Sequence, residues 1–563
     1  MMKQYVAKVL SQHVDLSEEE ILNVLEIPPS REMGDVAFPC FILAKTFRKA
    51  PQTIADELAS KLEDPMLQAK AIGPYLNFHF DRSKYAANLI EEILAKKDTY
   101  GKSDLGKGKT VVVEYSSPNI AKPFSLPHLR STMIGNSLAH IHEALGYKVV
   151  RINHLGDWGT QFGKLIVAYH KWGNEEVIRQ NPIEELVKIY VKFHEEAETH
   201  PELEDEARVW FKKLEDGDEE ATRLWKWFVD ESLKEFEKIY QLLGVRFDHF
   251  LGESFYSDKM DRVVDELQEK GLLVESEGAL IVDLSEENMP PIIIKKKDGS
   301  SIYATRDLAA ALYRKDTFHF DKMFYVVGNE QSLHFQQVFT TLKKMGYTWA
   351  NHLVHVPFGL MLFENKKMST RKGTIVLLEE VLQKSIEMAD QIIAEKNPDL
   401  PNRQDTAKAV GVGAVIFNDL KHNRMNEVNF SWEEALNFEG ETGPYVQYTN
   451  ARTQSLLRKS DFTEQDLLNI AGEFLQGEAA WDLVLLLSQY PDILIKAANR
   501  AEPSIVARYL LDVSAQFNRF YHQERIITEN KEEQKAKVGL AMATSYVLQH
   551  GLSILGLKAP EQI

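Results

Sequence analysis

Short apolar, β-branched runs alternate through the middle of this chain with longer stretches in which apolar residues recur every three or four positions. The runs Val111–Glu114, Lys148–Ile152, Met323–Val327 and His352–Val356 read as buried strands. Between the first two, Leu129, Met133, Ile134, Leu138 and Ile141 mark one stripe of a helix beginning near His128. Strands alternating with helices predict a doubly wound parallel sheet of Rossmann type over residues 106–400. Helical, acidic and aromatic sequence from about 165 to 250 breaks the alternation and reads as part of an insertion within 165–300. Residues 1–105 mix a helical stretch, Pro51–Leu62, with a strand-like YLNFHF at 75–80, and close at a Gly/Lys-rich linker, Gly101–Lys109, which predicts an α+β unit. Strand signals thin after about 400. Residues 401–440 read as linking helices and 441–563 as an all-α bundle, clearest at 503–523, where Val506, Tyr509, Leu510, Val513, Phe517 and Phe520 share a stripe behind Pro503. The expected protein is therefore multidomain α/β.

Composition narrows the class. A chain of 563 residues, 44% hydrophobic and 27% charged, fits a soluble protein of three or four domains. No apolar run approaches the roughly 20 residues that span a bilayer, and the N-terminus lacks a signal-peptide core, so a cytoplasmic protein without membrane contact is expected. Cys40 is the single cysteine, which excludes disulfides and any Cys-rich zinc site. His154 has no histidine three or four residues away, so no zinc is expected there either. A net charge of −18 argues against nonspecific coating of nucleic acid but leaves room for a structured RNA held on a local basic face. The acidic stretch Glu195–Glu220 reads as a solvated helical face above Trp210, Phe211, Leu214, Trp225 and Phe228.

Two segments carry the chemistry. SPNIAKPFSLPHLRST at 117–132 follows a predicted strand and opens a predicted helix, so free backbone N–H groups and a positive dipole end stand where ligands of parallel sheets bind. KKMSTRKGTIVLLEEVL at 366–382 puts a basic loop before a helical pattern. Together they resemble the ATP signatures of class I aminoacyl-tRNA synthetases, and the residues around the first resemble the arginyl branch. On that likeness Ser125, Leu126, Pro127 and His128 stand where the family usually has His-x-Gly-His. A serine hydroxyl still donates one hydrogen bond to phosphate but carries no charge, and proline removes an N–H while suiting the first turn of a helix. Thr370 stands where the second lysine of the family's KMSKS loop would be.

The resemblance implies a catalytic set of Lys122, Ser125, His128, Lys367 and Lys372, with Lys122 supplying the cation that Thr370 does not. ATP would be held by Ser125, Pro127, His128, Met368, Ser369 and Arg371, accompanied by Mg2+. It places Glu114, Asn119, His154 and Gln331 around the amino acid, with Asp307 accepting the guanidinium and Tyr303 beside it. Tyr303 and Asp307 are four apart, hence on one face if a helix begins at Tyr303. A five-donor guanidinium needs such fixed acceptors; the plain alternative for Asp307 is an ion pair with Arg306 or Arg314. For tRNA the likeness points to Asn77 and Phe78 in the first unit, which would meet the tRNA elbow. It points also to Tyr445, Arg452, Asn518 and Arg519 in an anticodon-binding tail, where stacking and edge hydrogen bonds suit unstacked bases. YLNFHF could equally be a half-buried strand. The implied protein is a monomeric arginine–tRNA ligase with tRNA(Arg), L-arginine and ATP as partners. Its rival is a noncatalytic duplicate that binds tRNA or arginine and has lost ATP chemistry through Ser125, Pro127 and Thr370.

Overall fold

The computed structural model describes residues 2–299, 302–367 and 375–563. Its centre is a five-stranded, wholly parallel sheet built from β1 (Thr110–Glu114), β2 (Lys148–Asn153), β3 (His249–Phe250), β4 (Lys322–Val326) and β5 (Leu353–Val356), in the spatial order β5-β4-β1-β2-β3. The chain moves from β1 to β2 on one side and later fills β4 and β5 on the other. The strand order therefore reverses at β1, and the crevice at its carboxyl end is the place such sheets reserve for ligands. The four predicted strands appear within a residue of their expected limits. Within the stretch 165–300, where an insertion is expected, the chain also returns to the main sheet at β3. Between β2 and β3 stand helices that include α2 (Glu219–Leu243). After β3 comes a three-stranded antiparallel sheet over Leu273–Ser276, Ala279–Val282 and Ile292–Lys295. Leu214 and Phe228 are buried beneath the acidic face, with Trp210, Phe211 and Trp225 packed partly buried beside them.

Helix α1 (His128–Ala144) leaves the loop after β1 and is buried almost throughout, because the sheet and C-terminal helices cover it from several sides. Arg130 lies in its first turn and is 1% exposed. Its Nε donates to Asp419 Oδ1 at 2.8 Å, Nη1 to the carbonyls of Gly359 and Asn426, both at 2.8 Å, and Nη2 to that of Arg424 at 3.2 Å. At the far end of α1, His142 packs on Phe324 of β4 and on Tyr147.

The first unit carries strands Val36–Pro39, Leu67–Ile72 and Tyr75–Phe80, with the last paired antiparallel to both others. Because Tyr75–Phe80 is central and covered on both faces, Leu76, Asn77 and Phe78 are consecutively buried, and the alternation read in YLNFHF does not give one wet face. This corrects the expected elbow contact. Asn77 is 2% exposed and Phe78 lies in the hydrophobic core, so neither presents a surface to RNA. The C-terminal bundle includes α3 (Gly443–Lys459), α4 (Ser504–Gln523) and α5 (Lys531–Ile554). Tyr490 stacks between Tyr100 and Tyr509 and bonds His550 Nδ1 at 2.7 Å, which joins the residue just before the Gly101–Lys109 linker to this bundle. Among the described residues no helix is long and apolar enough to cross a membrane.

Burial holds His128, His142 and His550 each at about 4, with the charge of Lys122 adding to the effect at His128 and that of Lys102 at His550. A histidine lowered in the folded state stabilises fully above its ordinary value of about 6.5 and loses that contribution as pH falls. Unfolding by denaturant between pH 7 and 4.5 should therefore show stability dropping with the release of up to about three bound-proton equivalents on refolding. Replacing His142 by phenylalanine should remove about one of them, and a flat stability profile would contradict the assignment.

Candidate active site

Three loops meet at the carboxyl edge of the sheet. The loop after β1 runs to the Ser125–His128 tetrad, that after β2 carries His154, and that after β4 carries Gln331. Asn119 and Gly156 form an isolated parallel bridge between the first two. A side chain at Gly156 would place its Cβ 2.0 Å from Asn119 Oδ1, so the close approach inferred from the glycine-rich stretch is the approach of these two loops.

In the tetrad, the backbone N–H of Ser125 donates to His128 Nδ1 at 3.0 Å, and Ser125 Oγ lies 3.0 Å from the same nitrogen. An Nδ1 that accepts leaves the proton on Nε2. Neutral, because burial disfavours its charge, His128 therefore offers an N–H donor at the helix N-terminus. Pro127 occupies the N-cap with helical dihedrals and is tolerated because no intrahelical N–H is needed there. The two signatures also meet: Leu126 N–H donates to the Val376 carbonyl at 2.9 Å, and Leu378 N–H to that of Phe124 at 3.0 Å. The chain just beyond the basic loop is thus sewn to the tetrad. The side chain of Lys367, and Met368, Ser369, Thr370, Arg371 and Lys372, lie outside the described residues.

The expected helix does begin at Tyr303, running Tyr303–Phe318, and puts Tyr303 and Asp307 one turn apart. Asp307 pairs neither with Arg306 nor with Arg314. One of its oxygens is bonded to His334 Nε2 at 2.5 Å. Burial pushes the Asp307 carboxyl up, but the hydrogen bond and charge of His334, with His154 and Arg314 nearby, outweigh this and hold it below the usual carboxylate range. Glu114 is placed differently from expectation. Its Oε2 accepts from Nη1 of the fully buried Arg314, so a guanidinium of the chain itself takes one of the oxygens assigned to the substrate pocket. His154 Nδ1 lies 3.0 Å from the Leu251 carbonyl and 3.3 Å from Arg314 Nη2. An N–H at Nδ1 satisfies that carbonyl, whereas the Arg314 donor needs Nδ1 as an acceptor, so the two neighbours call for opposite tautomers. Tyr303, Asn119 and Gln331 are exposed on the rim.

Sequence reasoning missed Glu253. Burial pushes its carboxyl up, offset by the charges of His154 and Arg306, while Asp157 and Asp307 add to the rise. Asp157 presents it: the two Asp157 oxygens accept from Ser254 N–H at 2.8 Å and Ser254 Oγ at 2.7 Å, and Gly252 is needed because a Cβ there would stand 2.6 Å from the Asp157 carboxylate. The signal was available in the Gly-Glu-Ser triplet, but it sits beyond the acidic insertion, where one more glutamate does not stand out.

The anticodon candidates divide. Arg452 Nη1 donates to Asn518 Oδ1 at 2.5 Å, Asn518 Nδ2 donates to the Tyr445 hydroxyl at 3.1 Å, and the Arg452 guanidinium lies 5.3 and 4.7 Å from the Tyr448 and Tyr521 rings. Arg519 points elsewhere and pairs with Asp482 at 3.1 Å.

This geometry meets its counterpart in known proteins. Residues 89–432 match the family model of the class I tRNA synthetase (R) catalytic domain. The chain belongs to the arginyl branch of the class I tRNA synthetases. Residues 1–80 match the arginyl tRNA synthetase N-terminal domain and 446–563 the DALR anticodon-binding domain. Arginine–tRNA ligase 1 of Bacillus cereus is 55% identical over 98% of this chain and 97% of its own length. Arginine–tRNA ligase of Alkaliphilus metalliredigens is 51% identical over 100% of this chain and 99% of its own. The solved arginyl-tRNA synthetase of Thermus thermophilus superposes with a TM-score of 0.81 at 25% identity, covering 100% of this chain and 99% of that one.

If Asp307 accepts a substrate cation, Asp307→Ala should raise the KM for arginine by about 30-fold or more, since truncating one partner of a buried charged hydrogen bond costs roughly 2–5 kcal/mol. Initial-rate kinetics over an arginine series measure this, and an unchanged KM would remove Asp307 from the pocket.

Proposed function

We propose that the chain joins L-arginine to tRNA(Arg) in two steps at the crevice above β1. The arginine carboxylate attacks the α-phosphate of ATP, diphosphate leaves, and the arginyl group passes from the adenylate to the terminal ribose of the tRNA with release of AMP. The observation that supports this most is the set of carboxylates Asp307, Glu253 and Glu114, which gather with His154 beside a phosphate-type loop. Fixed acceptors select a planar five-donor cation, and a helix N-terminus receives phosphate.

In this reading Asp307 and Glu253 take the guanidinium, Glu114 faces substrate with the oxygen that Arg314 leaves, and Tyr303, Asn119 and Gln331 close the rim. His128 donates from Nε2 to the nucleotide, and Ser125 and Pro127 shape its seat. Lys122, Lys367, Arg371 and Lys372 stabilise charge as diphosphate departs, and Met368 and Ser369 complete the loop against ATP. Mg2+ enters as part of MgATP. The domains are proposed as an N-terminal tRNA-contacting unit over 1–105, catalysis over 106–400, linking helices over 401–440 and anticodon recognition over 441–563. Tyr445, Arg452 and Asn518 form the recognition cluster, with Arg519 at its edge, in a monomeric cytoplasmic enzyme. The noncatalytic rival is disfavoured because a binder of tRNA or arginine alone has no use for a phosphate-type helix N-terminus with Lys122 and His128 beside the acidic pocket.

ATP–diphosphate exchange with arginine, run with and without tRNA(Arg), tests the reading. Exchange that depends on tRNA is the expected result. Absent exchange under both conditions, with tRNA still bound, would instead establish the noncatalytic duplicate.

A further inference from the structure

Thirteen non-glycine residues have positive φ among the described residues, and three of them, Ser116 (+69°), Ser117 (+51°) and Ala121 (+57°), fall in the seven residues between β1 and Lys122. Left-handed backbone costs a residue with a Cβ of order 1 kcal/mol or more, and it persists only where the surroundings over-determine it. Here each strained residue has its N–H caught by a side chain from a different element. Ser116 N–H donates to Ser131 Oγ of α1 at 3.0 Å, Ser117 N–H to Asn153 Oδ1 of β2 at 3.1 Å, and Ala121 N–H to Ser232 Oγ of α2 at 3.0 Å.

Helix α2 belongs to the insertion, yet it reaches this loop twice. Ser232 spends its own proton on the Phe228 carbonyl at 2.8 Å and so stands as a committed acceptor for Ala121. Two turns on, the Tyr240 hydroxyl lies 2.7 Å from Ser116 Oγ and accepts from Asn153 Nδ2 at 2.9 Å. Ser116 Oγ in turn lies 2.8 Å from Thr132 Oγ1, which bonds the His128 carbonyl at 2.7 Å. The Tyr240 ring packs edge-on against Phe124 and Phe247, at 5.6 and 5.0 Å between centroids. The Tyr240 hydroxyl is therefore wired to the start of the strained loop, at Ser116 and through Asn153 at Ser117, and through two further hydroxyls to the backbone of the tetrad, while Ser232 holds the loop's end at Ala121.

We infer that Tyr240 and Ser232 are positioning residues for adenylate formation: the insertion helix holds the 115–121 loop in its left-handed course and so fixes Asn119 and Lys122 against arginine and ATP. The inference rests on the proposed function, and the two fail separately, since the unaltered chain's own exchange activity is the reference. Tyr240→Phe keeps the ring and removes only the hydroxyl, leaving Ser116 Oγ and Asn153 Nδ2 without their shared partner. Ser232→Ala frees the Ala121 N–H and serves should the first variant fail to fold. Ser232→Thr restores an oxygen.

The experiment is tRNA-dependent ATP–diphosphate exchange with active sites counted by titration, alongside Tm. Misplacing a reacting group by a fraction of an ångström predicts a kcat per titrated site about tenfold lower for Tyr240→Phe and Ser232→Ala, with recovery in Ser232→Thr. A purely structural role lowers Tm and the number of competent sites but not the turnover of each. A kcat per titrated site within about threefold of the unaltered chain, whatever happens to Tm or KM, overturns the inference.

Discussion

The guanidinium of Arg130 is the constraint on which the arrangement of both ATP signatures depends. It sits two residues past His128, is almost fully buried, and is satisfied by one carboxylate and by carbonyls from two separate stretches of chain, 359–360 and 424–426. The first stretch leads into strand Met361–Phe363, which pairs with Lys366–Lys367 at the base of the basic loop. The second leads into Val428–Phe430, which pairs parallel with Met361–Phe363. A single side chain thus fixes where the loop's base stands relative to the tetrad. Removing one partner of such a buried pair costs roughly 3–5 kcal/mol, because the remaining charge cannot be rehydrated. Asp419 shows the other side of this: burial pushes its carboxyl up, Arg130 offsets that, and its Oδ2 has no hydrogen-bond partner.

The two site histidines show how backbone sets side-chain chemistry. His128 receives an N–H from Ser125 and so becomes a donor at Nε2. His154 Nδ1 faces both the Leu251 carbonyl and the Arg314 guanidinium, so which of the two it bonds sets its tautomer. A donor at Nε2 of His128 suits phosphate. The choice lies in the loops' hydrogen bonds, which a sequence pattern does not display.

Strand positions, the helix starts at His128 and Tyr303, and the amphipathic Ser504–Gln523 helix were legible because each is written as local periodicity. The family likeness supplied candidates around the sheet edge, and the structure gathers Asn119, His154, Tyr303 and Asp307 there. What escaped was set by long-range partners. Phe78 looked available because a strand pattern does not say that its sheet is covered on both faces. Glu114 looked free because Arg314, its partner, is 200 residues away. Glu253 was hidden just beyond the largely solvated acidic stretch Glu195–Glu220, and β3, two residues long, has no periodicity to read.

The altered tetrad now has a physical interpretation. Ser125 turns both its N–H and its hydroxyl toward Nδ1 of His128, so both groups are aimed at that ring. His128 is neutral at physiological pH, because burial and Lys122 both disfavour its protonation. The tetrad therefore offers hydrogen-bond donors and a helix dipole but no formal positive charge. In the proposed reaction, Lys122 and the cations of the basic loop are left to meet the charge that develops as diphosphate leaves. Lys122 sits at the end of the strained segment that α2 holds in place. The substitution that removes charge from the tetrad consequently raises the demand on how accurately that one lysine is placed.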